Sequence, residues 1–194
     1  GVQANAIACP LSPAWRRWLA DIFLLYAATG PRVLWIEDDI RVHGHRPVTW
    51  ACFCDLHLEQ FSQRIGRRLT RQELVAAVLA PGEPSDIRRQ WLEFEGQGIV
   101  GAVQHLADAV YGQFPEVQLG LMCSAPWTHA MEWRDWPALL TALAGPHPRV
   151  PIRPCMGNYQ ETTPLGIYSS RQLVGATEKC LDRPAHLCTE VENW

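Results

Sequence analysis

Four short apolar runs alternate with stretches of helical periodicity, and this alternation constrains the fold more than any other feature of the chain. The runs lie at 33–36, 117–123, 150–155 and 186–189. Helical spacing precedes the first run, over 13–30, and separates the others at 52–66, 70–79, 86–112, 136–143 and 163–181. The order α-β-α-β-α-β-α-β predicts parallel strands joined by right-handed crossovers. Parallel strands place all their C-terminal ends on one edge. Polar residues collect there: Glu37, Asp38 and Asp39, then Ser124, Trp127 and His129, then Asn158 and Tyr159, then Glu190 and Glu192. Sites of α/β proteins form on that edge.

Local signals mark several helix ends. Ser12-Pro13 supplies a cap and a proline at the first helical position, and Gly30 closes that helix. Thr70 and Glu73 form a capping box. Ser85 caps the longest helix, whose expected inner face is Ile87, Trp91, Phe94, Ile99, Val103, Leu106 and Val110. Gly96 and Gly98 weaken that helix without ending it.

An open doubly wound sheet and part of a barrel both fit four parallel strands. A complete (β/α)8 barrel needs about 250 residues, and this chain has 194. It opens on a helix and stops at the end of a strand that lacks its covering helix. The expected fold is therefore α/β, a partial TIM barrel. Residues 1–194 are expected to be one partial-barrel catalytic domain, a fragment of a longer chain, with no linker or repeat evident inside it.

Composition excludes some functions. Net charge is −3 with no basic run, which argues against nucleic acid. No apolar run is long enough to span a membrane, and the N-terminus lacks the charged region of a signal peptide. The seven cysteines are spread out, and Cys123, Cys155 and Cys188 fall in apolar runs. Thiols there act as small hydrophobes, which points to a reducing compartment, the cytoplasm. Nine tryptophans favour carbohydrate, because flat aromatic faces suit sugar rings.

The first strand ends in Glu37-Asp38-Asp39, and three adjacent like charges have no use in a core. Paired with a carboxylate from the end of the fourth strand, they suit glycoside hydrolysis. In the retaining route one acid protonates the leaving oxygen and the other attacks the sugar, about 5–5.5 Å away. Arg41 and His43, which follow the acids, suit sugar hydroxyls or an ordinary polar loop. Trp127 and His129 offer a stacking wall and a donor. Arg153, a charge inside the third strand, would hold a carboxylate ionised or neutralise the acid cluster. Asn158 and Tyr159 suit a sugar contact or a turn. Cys52-x-Cys54-x-x-His57 offers two thiolates and an imidazole to zinc.

An acidic strand end followed by Cys52-Phe53-Cys54-Asp55-Leu56-His57-Leu58-Glu59-Gln60-Phe61 resembles the bacterial β-galactosidases of glycoside hydrolase family 42, which are clan A barrels. The resemblance implies that the four strands are strands four to seven of the barrel. Glu37, Asp38 and Asp39 then cover the family's Asp-Asn-Glu run. Asp39 takes the acid/base position with Glu37 as its stand-in, and Asp38 supports it. The nucleophile falls on Glu190, with Glu192 second. The resemblance also implies a closed structural zinc held by Cys9, Cys52, Cys54 and His57, with His57 where the family has cysteine. Catalysis itself would need no cofactor. The chain departs from the family at Asp39, which stands for glutamate, and at Asp38, which stands for asparagine. These departures support an alternative, a barrel segment that binds carbohydrate or is structural without turnover. The expected partner is a carbohydrate, and the sequence leaves a homo-oligomer open.

Overall fold

A computed structural model describes residues 7–38, 40–43, 52–155, 164–181 and 185–188, with backbone alone at 164–169. The elements in chain order are α1 (Pro13–Ala27), β1 (Val33–Ile36), α2 (Asp55–Arg64), α3 (Arg71–Val78), α4 (Asp86–Tyr111), β2 (Gln118–Met122), α5 (Pro126–Ala130), α6 (Trp136–Ala144), β3 (Val150–Arg153), α7 (Pro164–Cys180) and β4 (Ala185–Leu187). The strands form one parallel sheet in the order β1-β2-β3-β4. A doubly wound sheet would reverse its order and carry helices on both faces. Here the order is sequential, and α1, α4 and α6 all bury residues against the same face. This is the fold of a partial TIM barrel.

The expected caps are in place. The Ser12 and Ser85 side chains accept from Trp15 N and Arg88 N, and the Thr70–Glu73 capping box is complete. β2, β3 and β4 end short of the ends of their apolar runs, at Met122, Arg153 and Leu187, whereas β1 fills its run. β1 stops at Ile36, and the Ile40 N–H closes a turn onto the Glu37 carbonyl at 3.2 Å. Cys155 and Cys188 therefore lie just past strand ends and are only partly buried, whereas Cys123 is buried.

The register aligns Ile36, Leu121, Ile152 and Leu187 in one row. This row and its neighbours Leu119 and Val150 pack against Ile99, Val103, Leu106 and Val110 of α4 and Leu139, Leu140 and Leu143 of α6. A second core lies under α2 and α3. It joins Leu11, Phe61, Leu69, Leu74 and Val78 to Trp91 and Phe94, on the N-terminal half of α4. The 26 residues of α4 span about 39 Å and back both cores. Expected inner-face residues of α4 are buried, save Ile87, which is partly buried.

Side chains alternate across a strand, so Trp35, Gly120, Met122, Pro151 and Arg153 share the opposite, concave face. The Trp35 ring lies across Gly120, where a Cβ would stand 2.6 Å from the ring and 3.2 Å from Pro151 Cβ. No helix among the described residues is long and apolar enough to cross a membrane.

Candidate functional site

The site is built from the residues just past the strand ends. One step beyond the Ile36–Leu121–Ile152 row, the register brings Glu37, Met122 and Arg153 into line on the concave face. Arg153 Nη2 lies 3.7 Å from Glu37 Oε1 and 3.1 Å from Met122 Sδ. Asp38, one residue on, turns the other way. The Ser124 hydroxyl at the exit of β2 donates to Asp38 Oδ2, and Arg41 Nη1 donates to the same oxygen at 3.3 Å and to Ser124 Oγ. Neighbouring strand exits thus meet in a chain from Arg41 through Ser124 to Asp38.

These contacts separate two adjacent acids. Burial pushes the Asp38 carboxyl up. The hydrogen bond from Ser124, then Glu37, Arg41 and Arg153, outweigh it and hold Asp38 below the usual carboxylate range. Glu37 moves the opposite way. Burial raises it, and the hydrogen bond and charge of Asp38 add to the rise against the opposing Arg153. Its side chain is 59% exposed, so the neighbouring charge is the more durable cause. One group is held ionised and the other is inclined to keep a proton, the separation that acid–base chemistry needs.

Other residues expected at the site are placed differently. Trp127 is 65% exposed on α5, where its face is open to solvent. His43 and His129 are buried, at 2% and 0% exposure, and face a third buried group, Glu132. Asp39, Asn158, Tyr159, Glu190 and Glu192 lie outside the described residues.

Cys9, Cys52, Cys54 and His57 come together, their ligand atoms all within 4.8 Å of one another. A tetrahedral zinc with bonds to sulfur of about 2.3 Å would set S–S edges of about 3.8 Å. Cys9 and Cys54 Sγ stand 3.7 Å apart, and His57 Nδ1 lies 3.2 Å from the first and 3.4 Å from the second. His57 is fully buried, and its Nε2 finds no hydrogen-bond partner among the described residues. The ring instead sits edge-on to Phe94 at 5.8 Å. Nδ1 is thus directed at the thiols by packing. Hydrogen bonds from Cys52 and Cys9 hold the Cys54 thiol well below its ordinary value, and the Cys54 hydrogen bond is the first cause raising Cys52. A soft, compact S₃N set with one thiolate already favoured fits zinc. Phe53 stacks on Trp91 at 5.1 Å, which seats this loop on the second core.

Sequence reasoning missed two buried acids. Glu95 is 1% exposed, accepts from Cys52 N–H at 3.3 Å, and is pushed up to about 8, first by burial. It lines a cavity of about 420 Å³ with Val42, Val78, Leu92 and Met131. Helical spacing could have found it, since it lies four residues after Trp91 on the inner face. Glu132 follows α5 in what the sequence suggests is loop. Its only signal is the Glu132-x-Arg134 pair around Trp133, a non-glycine residue at φ 48°.

Comparison with known proteins supports the architecture. The chain resembles the crystal structure of the catalytic domain of β-amylase from Paenibacillus polymyxa, with a TM-score of 0.57 and 10% identity. The match covers 99% of this chain and 66% of that one, so the chain spans just under two thirds of that domain. No family model matches the chain, and no curated protein matches its sequence.

Proposed function

We propose that the chain is part of a glycoside hydrolase that cleaves a glycosidic bond with retention, in the manner of the family 42 β-galactosidases. The observation that carries this reading is the pair of adjacent rim carboxyls, Glu37 and Asp38, held with opposite protonation tendencies by Arg153, Ser124 and Arg41. The likeness to a β-amylase catalytic domain supports the choice of a glycosidase. In this reading Asp39, or Glu37 in its place, is the acid/base. Glu190, or Glu192, is the nucleophile. Arg41, Asp38, Arg153, Asn158, Tyr159 and Trp127 border the sugar, and His43 and His129 act from behind the rim. Cys9, Cys52, Cys54 and His57 hold a zinc ion that takes no part in bond cleavage.

The protein should release nitrophenol from a β-galactoside or related nitrophenyl glycoside, with the first-formed sugar retaining its anomeric configuration by proton NMR. Glu190→Gln should abolish turnover. Asp39→Asn should lower it about 10²- to 10⁴-fold. A product of inverted configuration would remove the nucleophile role. Sugar binding without turnover would select the alternative, a carbohydrate-binding segment, which the departures from the family pattern at Asp38 and Asp39 favour.

A further inference from the structure

Behind the rim, several polar contacts converge on one buried acid. Glu132 is fully buried. Its Oε1 accepts from Arg134 Nε at 2.9 Å and Arg134 Nη2 at 2.6 Å, and lies 3.4 Å from His129 Nδ1. Its Oε2 accepts from Val42 N–H at 3.2 Å and lies 3.5 Å from His43 Nε2. Arg134 Nη2 also donates to the Ile40 carbonyl at 3.0 Å. His129 Nε2 accepts from Ser124 N–H at 2.9 Å. That bond leaves Nε2 bare and places the ring proton on Nδ1, toward Glu132.

Glu132 therefore reaches three backbone points on two strand exits: Val42 N by a direct hydrogen bond, Ile40 O through hydrogen-bonded Arg134, and Ser124 N through His129, which it meets across 3.4 Å. Arg41 lies between the first two, and Ser124 is the third. These are the two residues whose side chains hold Asp38. A buried ion pair is a costly way to fill a core, and apolar side chains of similar volume often serve stability as well. Directional contacts to backbone on both exits are what an apolar group could not supply. We propose that Glu132 is a positioning residue for the acidic rim, fixing Arg41 and Ser124 and through them the Asp38 carboxylate beside Glu37. Its consequence for catalysis rests on the glycosidase reading, but its effect on Asp38 does not.

The test uses the whole protein and reads the Asp38 carboxyl directly, by carbon-detected NMR titration. Glu132→Gln should move the Asp38 titration up toward the ordinary carboxylate range. It should also lower kcat about 100-fold, the cost of a small misplacement, with KM little changed. Glu132→Gln/Arg134→Met removes both charges, so no unpaired ion is left buried, and should do the same. If neither folds, His129→Gln cuts only the arm to Ser124 and reads the same titration. Leu106→Ala, a fully buried core truncation on α4, should lower thermal stability and leave the Asp38 titration where it was. An unmoved Asp38 titration in a folded Glu132 or His129 variant would overturn the proposal, and so would an equal shift in Leu106→Ala. If the parent protein cleaves no glycoside, the functional reading fails, while the titration still decides the role of Glu132.

Discussion

Asp38 carries a stability signature of its own. Its carboxyl is held below the usual range in the fold, so the folded protein binds fewer protons there than the unfolded chain. Stability from this group is present above the unfolded carboxylate value, 3.8, and is lost as pH falls through the lower folded value. Asp38→Asn should therefore lower the melting temperature at pH 7, and the difference from the parent should shrink as pH falls below 4. A difference constant with pH would mean that Asp38 contributes only packing. At this scale the acids were legible, because three adjacent carboxylates at a strand exit have no structural use. Their partners were not. Ser124 stands 86 residues from Asp38, and a hydroxyl in a loop carries no spacing signal. Nor could the sequence show that His43 and His129 point into the protein, since a histidine in a polar loop looks the same whether buried or exposed.

The helices with caps were the readable elements. Ser12, Thr70 with Glu73, and Ser85 each sit where a side-chain oxygen meets the first turn, a short-range interaction that the sequence states directly. α5 was not expected. It is five residues long, starts at Pro126, and its cap residue Ala125 makes no side-chain bond. α4 resolves an ambiguity in the sequence. Gly96 weakens a helix on propensity alone, yet a Cβ there would lie 2.4 Å from the Trp133 carbonyl oxygen. The glycine lets the loop carrying Glu132 rest against the helix backbone. Gly96→Ala sets two effects against each other. Alanine favours the helix by about 1 kcal/mol, while crowding against a backbone carbonyl costs about 1–3 kcal/mol. The clash should win, giving a net loss in urea denaturation. A net gain would show that the loop moves aside freely.

For the whole molecule, the two cores meet along one continuous helix. If the zinc reading holds, the ion pins the loop at Cys52 and Cys54 to Cys9, near the start of the described chain, and α4 links that loop to the sheet. Metal analysis should find one zinc per chain. Removing it with a chelator should lower the midpoint of a single melting transition by several degrees. Cys54→Ser should lose the metal and melt as the chelated protein does. A metal-free protein with unchanged melting would leave the four residues as packing alone. The strand order was legible at this scale because alternation admits few topologies. The choice of a partial barrel over an open sheet was also legible in the sequence, and the packing of α1, α4 and α6 on one face agrees with it.

The division of labour along each strand has a consequence for descent. Register is carried by apolar rows such as Ile36–Leu121–Ile152–Leu187. Polar contacts begin only past the strand ends, at Asp38 and Ser124. Any branched aliphatic residue can serve a row, and a rim residue need not suit the core. The two sets can drift separately, one under selection for volume and the other for chemistry. A backbone path of this kind is compatible with very different sequences, and the likeness at 10% identity is a likeness of fold.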